Sequence, residues 1–166
     1  MRRILATIVA LATFAFLASV ATAADRGVRT RGDEKVVPNA MVQATLRFTP
    51  GMIKVASGDT LTFTHDDDTT APHTITVVTT FPGATLEEVF ACGNPGGDCA
   101  NALAAHFAGG FNPVVNAGAP GLDTPGDSLF LPDDQSVTAT VSAPSGTTLR
   151  YLCAIHPWMQ GTIQVQ

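Results

Sequence analysis

The segment CAIHPWM sets Cys153, His156 and Met159 at three-residue intervals, so one tight turn carries a thiol, an imidazole and a thioether. Soft sulfur mixed with nitrogen suits copper better than magnesium, calcium or manganese, which prefer oxygen. Zinc is the nearest rival, but its sites use Cys, His and carboxylate, and a thioether is not among its usual ligands. Covalent haem attachment needs C-x-x-C-H, which the chain lacks. A copper site of this kind needs another imidazole, and the chain offers His65, His73 and His106. His73, in TTAPHTITV, follows Pro72 and opens an alternating strand, which fixes its side chain at the strand's lip. His65 ends the preceding strand and competes for the same role. His106 falls within a helical stretch and reads as a surface or packing residue.

The elements that must position these residues follow a period of two, broken by Gly, Pro, Asp and Ser, as in an antiparallel β-sandwich. Strands are expected over 44–48, 52–55, 60–65, 74–78, 136–141, 149–153 and 162–165, with turns at Ser57-Gly58-Asp59 and Pro144-Ser145-Gly146. Leu61, Phe63 and His65 then share one face, as do Leu149, Tyr151 and Cys153. This predicts an all-β, Greek-key sandwich. Residues 80–126 break the rhythm and read as a partly helical insertion. Thr85 and Glu88 form a T-x-x-E capping box, Asp98 can cap a second helix carrying Leu103 and Phe107, and an irregular loop follows Gly109-Gly110. The insertion holds CGNPGGDC, whose Gly-rich loop can bend to join Cys92 and Cys99 in a disulfide. An alternative makes Cys92, Cys99 and His106 a second metal site.

Three cysteines in an exported protein suggest one pair and one thiol kept for another purpose. Export is read from Arg2 and Arg3, the apolar run from Ile4 to Val20 and the A-x-A site at residues 21–23, together a signal peptide over 1–23. Residues 24–36 read as a flexible leader and 37–166 as the folded domain. The cleaved chain would carry seven basic against fourteen acidic residues, a net charge of −7, which argues against nucleic acid or an anionic membrane as partner. A periplasmic or otherwise exported monomer is expected, without stable membrane association after cleavage. Asp66-Asp67-Asp68 reads as a solvated loop, since the pattern of a calcium loop is missing.

The segments GDTLTFTHDDDTTAPHTITV and YLCAIHPWMQGTIQV together resemble the two halves of the type 1 copper site in the plastocyanin, pseudoazurin and amicyanin group of cupredoxins, the short C-x-x-H-x-x-M loop being most similar to amicyanin. The resemblance implies one copper ion held by His73, Cys153 and His156, with Met159 as a weak axial ligand. It also implies single-electron exchange with redox partner proteins. Two departures stand out: Thr74 where the group often has Asn, and the long insertion. The Thr74 hydroxyl could still tie the two ligand loops together. A copper trafficking or storage protein is the alternative, although Met-rich or multi-Cys clusters would then be expected. An enzyme is not expected, because a copper oxidase or nitrite reductase needs a second, His-rich centre that four histidines cannot also build.

Overall fold

The computed structural model describes residues 25–166. The expected signal peptide at 1–23 lies outside them. The chain runs through β1 (Asp25–Arg31), β2 (Glu34–Val37), β3 (Met41–Ala44), β4 (Arg47–Thr49), β5 (Met52–Val55), β6 (Thr60–Thr64) and β7 (His73–Val78). Two helices follow, α1 (Leu86–Ala91) and α2 (Asp98–Phe107), and then β8 (Val114–Val115), β9 (Ser128–Leu131), β10 (Ser136–Thr140), β11 (Thr148–Leu152) and β12 (Gln160–Val165).

One sheet has the order β10-β6-β1-β4, the other β5-β12-β11-β7-β9-β8, and β2 and β3 form a separate hairpin. Alternation drives the apolar side chains of both sheets into the space between them. Val28, Phe48, Leu61 and Phe63 come from the first sheet, and Ile75, Val77, Leu129, Leu131, Tyr151 and Ile163 from the second. Removing this apolar surface from water is the main stabilising term. Phe48 and Phe63 pack on the Tyr151 ring, with centroids 5.0 and 5.7 Å away. Tyr151 also lies opposite Gly161 in the β11–β12 register, and a Cβ at Gly161 would collide with the phenol ring, so this strand pair needs a residue without a side chain there.

The result is an all-β Greek-key sandwich with a partly helical insertion, and it differs from the sequence expectation in four respects. The sheets are mixed, because β1 pairs parallel with β6 and β5 pairs parallel with β12. Residues expected as a flexible leader form β1 and β2: Val28 and Thr30 turn inward, each 1% exposed, while Arg26, Arg29 and Arg31 point outward. The expected strand at 44–48 is split between the end of β3 and the start of β4. Strand β9, with its continuous SLFL sequence, was not expected.

The insertion has the two helices, and Thr85 and Glu88 make the full capping box. Asp98 is the first residue of α2, and its N-cap is Gly97, which offers no side-chain oxygen. The Cys92–Cys99 disulfide is present, so the alternative metal site at those thiols is ruled out. Cys99 and Ala102 pack with Val78, Leu152 and Ala154 in a second apolar cluster on the outside of the larger sheet. All six residues of β7 are consequently buried, with the main core on one face and the insertion covering the other.

Candidate metal centre

At one end of the sandwich His73 opens β7, Cys153 follows β11, and the turn to β12 carries His156 and Met159. That turn is closed by its own backbone: the Cys153 N–H donates to the Met159 carbonyl at 3.0 Å, and the Met159 N–H to the His156 carbonyl at 2.8 Å. The Ala154 N–H donates to Thr74 Oγ1 at 2.7 Å, so the Thr74 hydroxyl does tie the two loops together.

Three donor atoms converge in the space so framed. Cys153 Sγ lies 3.7 Å from both His73 Nδ1 and His156 Nδ1, and the two nitrogens are 3.1 Å apart. Cys153 and His73 are fully buried and His156 is 6% exposed. Met159, also fully buried, packs in the same core cluster as Cys153. His73, Cys153 and His156 are thus brought together, and Met159 belongs to the same closed turn as Cys153 and His156. His65 stands behind it, its ring centroid 5.0 Å from that of His73, and its Nε2–H donates to the Ala71 carbonyl at 3.1 Å. His106 is distant from the cluster and fully buried. Its Nδ1 bonds the Asn112 carbonyl at 2.6 Å and its Nε2 bonds Ser128 Oγ at 2.8 Å.

Sequence reasoning missed two features around the trio. The first is Asp67, expected in a solvated loop: its side chain is fully buried and its Oδ2 accepts from His73 Nε2–H at 2.8 Å. With the ring proton held on Nε2, Nδ1 presents a bare lone pair to the cluster. The second is a run of hydroxyls reaching from the insertion: His106 Nε2 to Ser128 Oγ, Ser128 to Thr76 at 2.8 Å, and Thr76 to Thr74 at 3.0 Å, ending at the Ala154 N–H. Each buried polar group in this run finds a partner in the next, so the insertion is tied to the loop carrying Cys153.

The donors suit a cation. Burial pushes the Cys153 thiol above its ordinary pKa, while the backbone N–H groups of Thr74 and His156, each 3.4 Å from Sγ, oppose that shift by favouring a thiolate. Two imidazole nitrogens 3.1 Å apart beside that sulfur can share one proton, and the same arrangement suits a shared metal ion. Soft sulfur with two imidazoles selects copper or zinc, and the Met159 thioether in the same turn favours copper. Burial also pushes the His73 pKa down to about 4, and the neighbouring His156 and His65 add to this, while Asp67 opposes it. Burial likewise lowers His156, with Glu34 and Asp67 opposing.

Both histidines are therefore neutral in the fold and bind protons more readily once unfolded, so the metal-free protein loses stability as pH falls. The His73 contribution is complete above about pH 6.5 and shrinks toward pH 4, amounting to about 3 kcal/mol, and His156 acts in the same direction. Urea unfolding of the metal-free protein at pH 7.5 and 4.5 checks this. Equal stability at the two pH values would contradict the neutral, buried state of the pair.

His156 is closed off from solvent. Glu34, on the β2–β3 hairpin, brings Oε1 to 3.6 Å from His156 Nε2, and the Trp158 ring stands over the imidazole with centroids 5.4 Å apart. Phe90 of α1 packs on Trp158 at 5.8 Å. Val42, Leu86, Phe90 and Trp158 line a groove between hairpin and insertion, in which Val42 and Leu86 are 77% and 73% exposed.

No protein-family description and no curated protein matches the chain. Among solved structures, a purple cupredoxin from Nitrosopumilus maritimus is 16% identical with a TM-score of 0.43, the likeness covering 85% of this chain and 99% of that one. Auracyanin from Roseiflexus castenholzii is 21% identical (TM-score 0.45; 87% and 99% covered), and auracyanin A, a "blue" copper protein from Chloroflexus aurantiacus, is 18% identical (TM-score 0.47; 86% and 100% covered). The chain's own sheet order describes a β-sandwich in which the start of β7 and the end of β11 meet at the cluster.

Proposed function

We propose that this chain is a copper-binding electron carrier in which His73 Nδ1, Cys153 Sγ and His156 Nδ1 would hold one type 1 copper ion and the Met159 thioether would supply a weak further ligand. The observation that carries the reading is the convergence of three donor atoms within 3.7 Å of one another, with Asp67 fixing the His73 tautomer. Copper in such a set would take up and give back single electrons with little rearrangement of its ligands. The protein supplies the rigidity: β7 and β11 are paired, the turn is closed by backbone bonds, and Thr74 locks one loop to the other. His65 and His106 are engaged by protein groups, which supports a single centre and an electron carrier rather than an enzyme. The disulfide suits an exported protein in an oxidising compartment.

Burial of the trio favours a carrier over a trafficking protein, because handing over the ion would require the turn to open. The copper-loaded protein should keep its metal through repeated reduction and oxidation in the presence of a cuprous chelator at neutral pH. Loss of the ion on the first reduction would replace the carrier reading with trafficking.

Electrons would enter on the His156 side, through the groove beside Trp158. Glu34 lies beside His156 and the whole chain is acidic, so the fitting partner is a redox protein with a basic rim around an apolar centre. Exchange with a basic redox protein should slow severalfold between low and physiological salt. A rate that rises with salt would place positive partners elsewhere or exclude them.

A further inference from the structure

The run Asp66-Asp67-Asp68 divides its charges between surface and interior. Asp66 faces outward and pairs with Arg29 at 2.8 Å and Arg31 at 2.9 Å. Asp67 turns inward with a fully buried side chain. A buried carboxylate is costly unless its oxygens are hydrogen-bonded, and here they are. Oδ1 accepts from the Thr69 N–H at 3.0 Å and from Thr69 Oγ1 at 2.7 Å, Oδ2 accepts from His73 Nε2–H at 2.8 Å, and the Thr30 hydroxyl also donates. His65, with Nε2 3.9 Å from Oδ1, closes the far side. A metal-site reading of His65, Asp67 and His73 is disfavoured by these same bonds: the His73 Nε2 proton goes to Asp67 and the His65 Nε2 proton to Ala71.

What remains is a fixed negative charge one imidazole away from the proposed copper ion. Two consequences follow from elementary electrostatics. The anion keeps the proton on Nε2, so Nδ1 is permanently free to bind. It also attracts the centre more strongly when the ion carries two positive charges than when it carries one, and burial lessens the solvent screening of that difference. We propose that Asp67 is a positioning residue of the copper centre, which acts through His73 to hold Nδ1 bare and to stabilise the cupric over the cuprous state, lowering the reduction potential. This rests on the reading that the trio holds copper. The reaction concerned is uptake of one electron from a donor protein and its release to an acceptor, with no bond to Asp67 made or broken.

The test compares copper-loaded full-length wild type with Asp67→Asn, which keeps a carbonyl oxygen for the His73 N–H and removes the charge, and with Asp66→Asn as a surface control. Asp67→Asn should retain the blue absorption band and shift the cupric–cuprous equilibrium toward cuprous by about tenfold, a rise of about 59 mV for one electron. Asp66→Asn should shift it less than twofold. An Asp67→Asn protein with an intact blue band and less than a twofold shift would overturn the proposal while leaving the copper site standing, as would an equal shift in the surface control. Wild-type protein that takes up no copper would overturn both. Should Asp67→Asn fail to fold, nitrogen-15 spectra of the reduced wild type decide: a slowly exchanging proton on His73 Nε2 is expected, and a rapidly exchanging one overturns the proposal.

Discussion

Cys153→Ser should abolish the intense visible absorption of the copper-loaded protein while leaving a folded sandwich. The band expected of a type 1 site is a thiolate-to-copper charge transfer, and Cys153 is the free thiol among the described residues, since Cys92 and Cys99 are joined. Its Sγ is fully buried between two imidazole nitrogens. Serine is close in shape and can still accept the N–H groups of Thr74 and His156, so the turn and the β11–β12 pair should persist. A hydroxyl does not ionise as a thiol does, however, and it is a poor ligand for copper. The circular dichroism spectrum in the far ultraviolet should be unchanged while the visible band is lost outright. A folded Cys153→Ser protein that remained blue would remove Cys153 from the centre.

Met159→Leu should retain the blue band and raise the reduction potential by about 59 mV or more, a tenfold or larger change in the cupric–cuprous equilibrium. Met159 is fully buried and held by two backbone bonds in the turn it shares with Cys153 and His156. Leucine replaces it with similar volume, so the packing cost is below about 1.5 kcal/mol and the turn should survive. What is lost is a weak sulfur donor, which favours the cupric state and tunes such centres. A potentiometric titration monitored in the visible band measures the change. An unchanged potential would show that the thioether is only packing.

The sequence was most informative where chemistry and periodicity coincided. The C-x-x-H-x-x-M spacing survives in the structure because it spans a single closed turn, so neighbours in sequence are neighbours in space. His73 was legible because Pro72 and the alternating TITV place it at a strand's start, and β7 begins there. Strand β1 was obscured because DRGVRTR is mostly polar and only Val28 and Thr30 face the core, while its parallel pairing with β6 is a long-range contact. Strand β9 reads as an apolar run without alternation, since SLFL is covered on both faces by the core and the insertion. Asp67 lay beyond local reasoning: three consecutive carboxylates look solvated, and only the approach of Thr30 and His73 shows that the middle one is buried. The closed edge at His156 was hidden for the same reason, because Glu34 comes from a hairpin far away in sequence.

Titrating the purified metal-free protein with cupric ion, while recording absorption and electron paramagnetic resonance spectra, tests the copper site itself. Uptake of one equivalent is expected, with an intense visible thiolate-to-copper band and the narrow parallel copper hyperfine splitting of a type 1 site. Copper bound without that band, with the wide splitting of an ordinary nitrogen and oxygen site, would contradict the assignment of His73, Cys153 and His156 as its ligands.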